Sequence, residues 1–254
     1  MNIGFALLLS LLAGTATMIG SLLSLLYRKP GPKFMTLSLG FSGGVMIFVS
    51  FVELLGQGMK SVGTPGAFLA FFIGMSVMFI IDALVPHDYM AEHNVDPVLC
   101  KNNNLCRTGF FVALGITIHN FPEGIAVFAG SLQSIHLGIA IAIAIALHNI
   151  PEGIAVSVPV YAATRSRRKA FLWSAISGLA EPAGAIIAAV FLLPFLNPAV
   201  IGFVLSAVAG IMVFISIDEL VPISRSYGEE HLSIVGIMAG MIVMAASLWI
   251  MGCC

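Results

Sequence analysis

A bundle of eight membrane-crossing α-helices is the fold class this sequence predicts, and three observations predict it. Only 9% of the 254 residues are charged and 59% are apolar, where an ordinary soluble domain has roughly a quarter charged. Apolar runs long enough to span hydrocarbon recur from end to end, without the alternation of barrel strands. Basic residues, finally, crowd into alternate loops. The expectation is an all-α polytopic membrane protein with both termini outside.

Taken in order, the first run (3–27) has no basic n-region before it and no A-x-A site after it. It reads as a retained helix rather than a cleaved signal peptide. Runs 34–59 and 66–86 follow, then a cytosolic loop at 87–107. Runs 108–131 and 136–161 are separated by a few residues, so they form an antiparallel neighbouring pair. Runs 169–193, 199–222 and 231–252 complete the single domain. One set of alternate loops holds Arg28, Lys29, Lys33, Lys101, Arg107, Arg165, Arg167, Arg168, Lys169 and Arg225; the other holds only Lys60. Positive charge marks the cytoplasmic side, which supports the count of eight. "RSRRK" (Arg165–Lys169) reads as a topology anchor, and nothing points to nucleic acid. Cys253 and Cys254 end the chain, and Cys100 and Cys106 sit in a loop where a disulfide is not expected.

The chain also repeats itself. "GVMIFVSFVEL" (Gly44–Leu54) matches "GIMVFISIDEL" (Gly210–Leu220) at an offset of 166, in runs that cross in opposite directions. A weaker match pairs "SLLAGTA" (Ser10–Ala16) with "SGLAEPA" (Ser177–Ala183) at 167. "ITIHNFPEGIAV" and "IALHNIPEGIAV" sit 29 residues apart in the fourth and fifth runs. The simplest arrangement is 3+2+3: two inverted three-helix units flanking a central antiparallel pair, a pattern characteristic of secondary transporters.

Those two motifs carry the chemistry. His119 and Glu123 are four residues apart, as are His148 and Glu152, so each pair shares a helix face near the bilayer centre. Asn120 and Asn149 lie beside them. Pro122 and Pro151 cannot donate to the carbonyls of Ile118 and Leu147, and Gly124 and Gly153 allow a neighbour or an ion to approach closely. Buried carboxylates need a positive partner, and neither helix core has a lysine or arginine. A divalent cation fits, and mixed N/O donors favour Zn²⁺, Fe²⁺, Mn²⁺ or Co²⁺ over Cu(I), Mg²⁺ or Ca²⁺. The alternative is that His–Glu pairs merely bond the two helices together; the duplication at matched depth argues against it. Glu181, followed by Pro182, adds a mid-membrane carboxylate. Glu53, one turn after Ser50, and Glu219, beside Asp218, hold matching repeat positions near opposite ends of their helices. They read as entrance and exit groups, with Glu53 the better placed to reach the central site.

At these residues the chain resembles the ZIP (Zrt/Irt-like) family of divalent metal transporters, along its whole length and most closely its bacterial members. The resemblance implies a binuclear metal centre between helices four, five and six. It carries ligand roles to His119, Asn120, Glu123, His148, Asn149, Glu152 and Glu181. It further implies uptake of zinc, with tolerance for iron, manganese and cobalt, and cadmium among the ions bound. Some relatives have Gln-Asp in place of His148-Asn149, which bears on selectivity and nuclearity. The loop residues His87, His93, Cys100 and Cys106 make a thin version of the family's metal-binding loop, though their spacing closes no zinc site and a solvated linker explains them as well.

Three other readings compete. "GFSGG" (Gly40–Gly44) would suit a rhomboid-like intramembrane serine protease with Ser42 as nucleophile, but that leaves the duplicated carboxylates unexplained; small packing residues explain the stretch better. A metal sensor lacks a loop large enough for a signalling domain, and a metal-ion channel would not need ligands this deep. The expectation is a multi-pass importer in the inner membrane of a bacterial cell, not an enzyme and without a cofactor. Its partners are divalent ions, the lipid bilayer and, with room for one, a second copy in a homodimer.

Overall fold

The computed structural model of the chain describes residues 3–26, 31–84, 104–195 and 197–251, with the side chains of 104–115 and 162–163 outside that description. Every regular element within them is helical. Helix α1 (Ile3–Leu26) buries small residues at helical spacing, among them Ala6, Ser10, Ala13, Thr17 and Gly20, while Leu8 and Leu12 face outward. That inside-out pattern suits a helix whose surroundings are lipid, where association depends on close backbone packing.

Helix α2 (Pro32–Val49) begins with a proline at its first turn and runs into a π-turn at Ser50–Leu54. Helix α3 (Leu55–Leu84) continues directly from it. The whole stretch from Pro32 to Leu84 is 53 residues, about 80 Å at 1.5 Å per residue, against roughly 30 Å of hydrocarbon. It cannot be a single crossing. The break lies at Gly63, whose φ of 73° and ψ of 161° are non-helical and open to glycine without strain. Pro65, two residues on, sits in the first turn of the renewed helix, where its missing N–H is harmless. The expected runs 34–59 and 66–86 are thus continuous except at this point.

Helix α4 spans Asn104–Gln133 and α5 spans Ile135–Thr164, both running on past Pro122 and Pro151. The expected loop 87–107 loses its last residues to α4; 85–103, with His87, His93 and Cys100, lies outside the described residues. Ser134 caps α5, its hydroxyl accepting from the Leu137 N–H at 3.0 Å, which explains how two 30-residue helices reverse over a single residue. Helix α6 is Arg167–Phe191. Helix α7 (Pro198–Ile215) enters a second π-turn at Ser216–Leu220, then the short α8 (Val221–Ser226); α9 is Glu230–Ile250. Among the described residues six helical stretches are long and apolar enough to cross a membrane, Pro32–Leu84 counted as one.

The two π-turns, "SFVEL" and "SIDEL", occupy the same repeat position, 166 residues apart. Glycine contacts keep that register. An added Cβ at Gly44 would stand 2.8 Å from the Ile237 carbonyl carbon, and one at Gly210 the same distance from that of Phe71. Gly74 against Ala207 and Gly240 against Phe41 form the matching pair. So α2 packs on α9 and α3 on α7, each crossing between the expected three-helix units. The packing units are instead two four-helix groups: α1, α4, α5 and α6 against one another, and α2 and α3 with α7 and α9. They meet where α2 touches α5 and α4 touches α7.

Contacts in the first group also correct one sequence match. Gly124 and Phe121 of α4 meet Glu181 and Gly184 of α6, while Gly153 and Ile150 of α5 meet Thr17 and Gly20 of α1. Thr17 therefore corresponds to Glu181, an offset of 164 rather than the 167 of the sequence match.

Candidate metal centre

Seven of the polar residues singled out in the sequence lie in the first four-helix group: His119, Asn120, Glu123, His148, Asn149, Glu152 and Glu181, all with no exposed surface. The i, i+4 spacing puts His119 and Glu123 on one face of α4, but they do not pair with each other. The His119 Nε2 meets Glu152 Oε1 at 3.2 Å, and His148 Nε2 meets Glu123 Oε1 at 3.1 Å. Each histidine takes the carboxylate of the opposite helix. With the carboxylate as acceptor, Nε2 carries the proton and Nδ1 keeps the lone pair.

The close approach of helices explains how this crossing arises. A Cβ at Gly124 would stand 2.7 Å from the Glu181 carbonyl carbon, and one at Gly153 would stand 2.8 Å from that of Thr17. The two glycines admit neighbouring backbones, which draws α6 and α1 onto the motif helices. The asparagines clamp the same contacts. Asn120 Nδ2 donates to the Ser177 carbonyl at 3.0 Å, and Asn149 Nδ2 donates to the Ala13 carbonyl at 3.0 Å. Asn149 Nδ2 also donates to Glu181 Oε2 at 2.8 Å, tying the α6 carboxylate to α5.

What the asparagines leave over is informative. Their amide nitrogens are committed, but Asn120 Oδ1 and Asn149 Oδ1 are buried with no hydrogen bond. Glu123 Oε2, Glu152 Oε2, Glu181 Oε1 and the Nδ1 atoms of both histidines are in the same condition. Seven buried lone-pair atoms from one constellation lack a donor. Such groups cost free energy each unless something positive visits them. Among the described residues no three His, Cys, Asp or Glu side chains already stand as a closed metal cluster; the four motif side chains face one another as two hydrogen-bonded pairs.

The matching carboxylates of the π-turns differ. Glu219 is buried, and its Oε2 lies 4.0 Å from His119 Nδ1. Glu53 is also buried, but its Oε1 accepts from Gln57 Nε2 at 3.1 Å. Glu219, not Glu53, is therefore the π-turn carboxylate that reaches the centre. A π-turn re-aims the side chains it carries, which helix spacing alone does not disclose. Ser50 is fully buried, and Asp218 is partly exposed. Cys106 lies in the part of α4 whose side chains are undescribed. Gln57 was not singled out in the sequence, although its position four residues after Glu53 is a legible signal.

Ser42 is buried, and its hydroxyl donates to the His148 carbonyl at 3.3 Å. It braces α2 on α5 through backbone and is not set against a histidine ring as a protease dyad would require.

The profile of the family described as ZIP Zinc transporter matches residues 86–248. A protein of Chlorobium phaeovibrioides named zinc transporter ZupT is 52% identical over 96% of both chains. Proteins with that name from Clostridium perfringens and Streptococcus mutans are 46% and 48% identical, over 97% and 96% of this chain and 96% of their own lengths.

Proposed function

The chain belongs to the ZIP zinc transporter family, and from that premise and the buried lone-pair atoms we propose that it carries Zn²⁺ across the bacterial inner membrane through the centre built by α4, α5 and α6. It is a transporter, not an enzyme, and a multi-pass membrane protein. The proposed path has eight crossings arranged as inverted repeats, supported by the break at Gly63, the matched π-turns and the alternate-loop distribution of basic residues.

His119, Glu123, His148 and Glu152 bind the ion, with Asn120 Oδ1, Asn149 Oδ1 and Glu181 Oε1 completing the donor set. Metal ligands must be deprotonated, and each crossed pair holds its proton between the atoms that would face the ion. Binding therefore releases protons, which links transport to pH. Glu53 and Ser50 line the outer entrance, and Asp218 and Glu219 the exit to the cytosol. Nitrogen and oxygen donors without thiolate also accommodate Fe²⁺, Mn²⁺, Co²⁺ and Cd²⁺.

The observation that carries the proposal is the pair of crossed His–Glu contacts with no cation of the chain beside them. Zinc uptake into proteoliposomes tests it, with Fe²⁺, Mn²⁺ and Cu²⁺ compared, each with and without a pH gradient. Glu123→Ala and Glu152→Ala should each abolish uptake; unaltered uptake in both removes these residues from the path. A channel of the same fold would show uptake that neither saturates with zinc nor responds to the pH gradient.

A further inference from the structure

The two halves of this chain share a sequence pattern but stand in different arrangements. On the second half, Glu219 reaches His119 Nδ1 at 4.0 Å and the hydroxyl of Ser216 donates to the Met212 carbonyl at 2.7 Å. On the first half, the matching Glu53 is bonded to Gln57 instead, and the matching Ser50 hydroxyl is buried without a partner. The 166-residue register relates Glu219 to Glu53, and the 29-residue register relates His119 to His148. Applied together, they relate the contact Glu219–His119 to a contact Glu53–His148.

That second contact is not made here, although both sides stand ready for it. His148 Nδ1 is buried and has no hydrogen bond. Helix α2 already lies on α5, since Ser42 donates to the His148 carbonyl. Glu53 is eleven residues beyond Ser42, about 16 Å of helical rise, so α2 must shift along α5 for the two to meet. Gln57 is the feature without a counterpart: its equivalent in the second half is Ile223, which cannot hydrogen-bond a carboxylate. Only one of the two carboxylates has a side chain to hold it aside.

We propose that the transporter has a second state in which Glu53 partners His148 while Glu219 leaves His119, and that Gln57 is the positioning residue that holds Glu53 back in the state seen here. The proposal rests on the inverted-repeat transport reading above. Its physical logic is that one buried imidazole at a time gains a second carboxylate, so both states satisfy one Nδ1 and the exchange is nearly balanced.

Cysteine pairs test it in membranes, in a background with Cys100, Cys106, Cys253 and Cys254 replaced by serine. The H119C/E219C and E53C/H148C pairs are each treated with the shortest bis-methanethiosulfonate reagent, and bridging is read by mass spectrometry. Both pairs should bridge. In the H119C/E219C pair, adding Gln57→Leu releases the native Glu53 and should cut bridging roughly tenfold, as loss of one hydrogen bond to a charged group predicts. Bridging of H119C/E219C without bridging of E53C/H148C overturns the exchange, and so does bridging of H119C/E219C unchanged by Gln57→Leu. The second arm stands even if E53C/H148C does not fold. Zinc uptake by the wild type that depends on Glu123 and Glu152 keeps the transport reading intact in either case, so the two failures are distinguishable.

Discussion

Gly124→Ala is the smallest change that should reach the centre without touching a candidate ligand. The added methyl would stand 2.7 Å from the Glu181 carbonyl carbon and 3.1 Å from the Ala185 nitrogen, with the Glu181 oxygen closer still. All three are backbone atoms, so no side chain can swing aside. Ordinary contact begins near 3.4 Å, and α4 and α6 must part by at least 0.7 Å along that direction. The displaced segment carries Glu181 itself, whose Oε2 is held by Asn149 at 2.8 Å. Overpacking of this kind costs roughly 1–3 kcal/mol, and a misplacement near 1 Å at a binding centre costs on the order of 100-fold in rate. Zinc uptake into proteoliposomes and the unfolding temperature in detergent read the two effects. Gly56→Ala, whose methyl would meet nothing within 4 Å, is the control and should match or slightly exceed the wild type in stability. A Gly124→Ala protein with wild-type uptake would refute the idea that α4–α6 contact sets the site geometry.

The same contacts set three further outcomes. Asn149→Leu removes the donor shared by the Ala13 carbonyl and Glu181; each orphaned buried acceptor costs about 1–3 kcal/mol, so the unfolding midpoint should fall and zinc uptake with it. Gly63→Ala forces a Cβ into a φ of 73° and should cost about 1–2 kcal/mol, visible as a lower unfolding temperature with zinc affinity unchanged. Ser42→Ala loses one hydrogen bond of 3.3 Å to a carbonyl, a net loss of about 1 kcal/mol or less, and uptake should stay within about threefold of wild type; abolished uptake would give Ser42 a role that bracing does not explain.

The identity of the central residues was legible in the sequence because burial in lipid makes charge conspicuous. His119, Glu123, His148 and Glu152 are titratable groups in the cores of two otherwise apolar helices, and their duplication marks them twice. Glu181 was equally visible, standing beside a proline in the sixth run. Helix spacing, however, implied that each histidine would share a face with its own glutamate, and it says nothing about which carboxylate the ring then meets. The crossing depends on how α4 and α5 turn toward each other, and that is set by the glycine contacts with α6 and α1.

The sequence by itself determined that this chain is helical and membrane-embedded, where its positive loops lie, and which side chains are too polar to be idle in hydrocarbon. All of these are properties of composition and of spacing along one helix. Only the tertiary structure decided that the asparagine nitrogens are spent on the Ser177 and Ala13 carbonyls, leaving their oxygens over. It also decided that Thr17 corresponds to Glu181, that helices pair across the expected units, and that Glu219 rather than Glu53 reaches a histidine. These are relations between residues far apart in the chain, set by backbone approach at small residues and by two π-turns that rotate the helix beyond them. A one-dimensional pattern carries the periods of its own helices; it carries no record of the angle at which one helix meets the next.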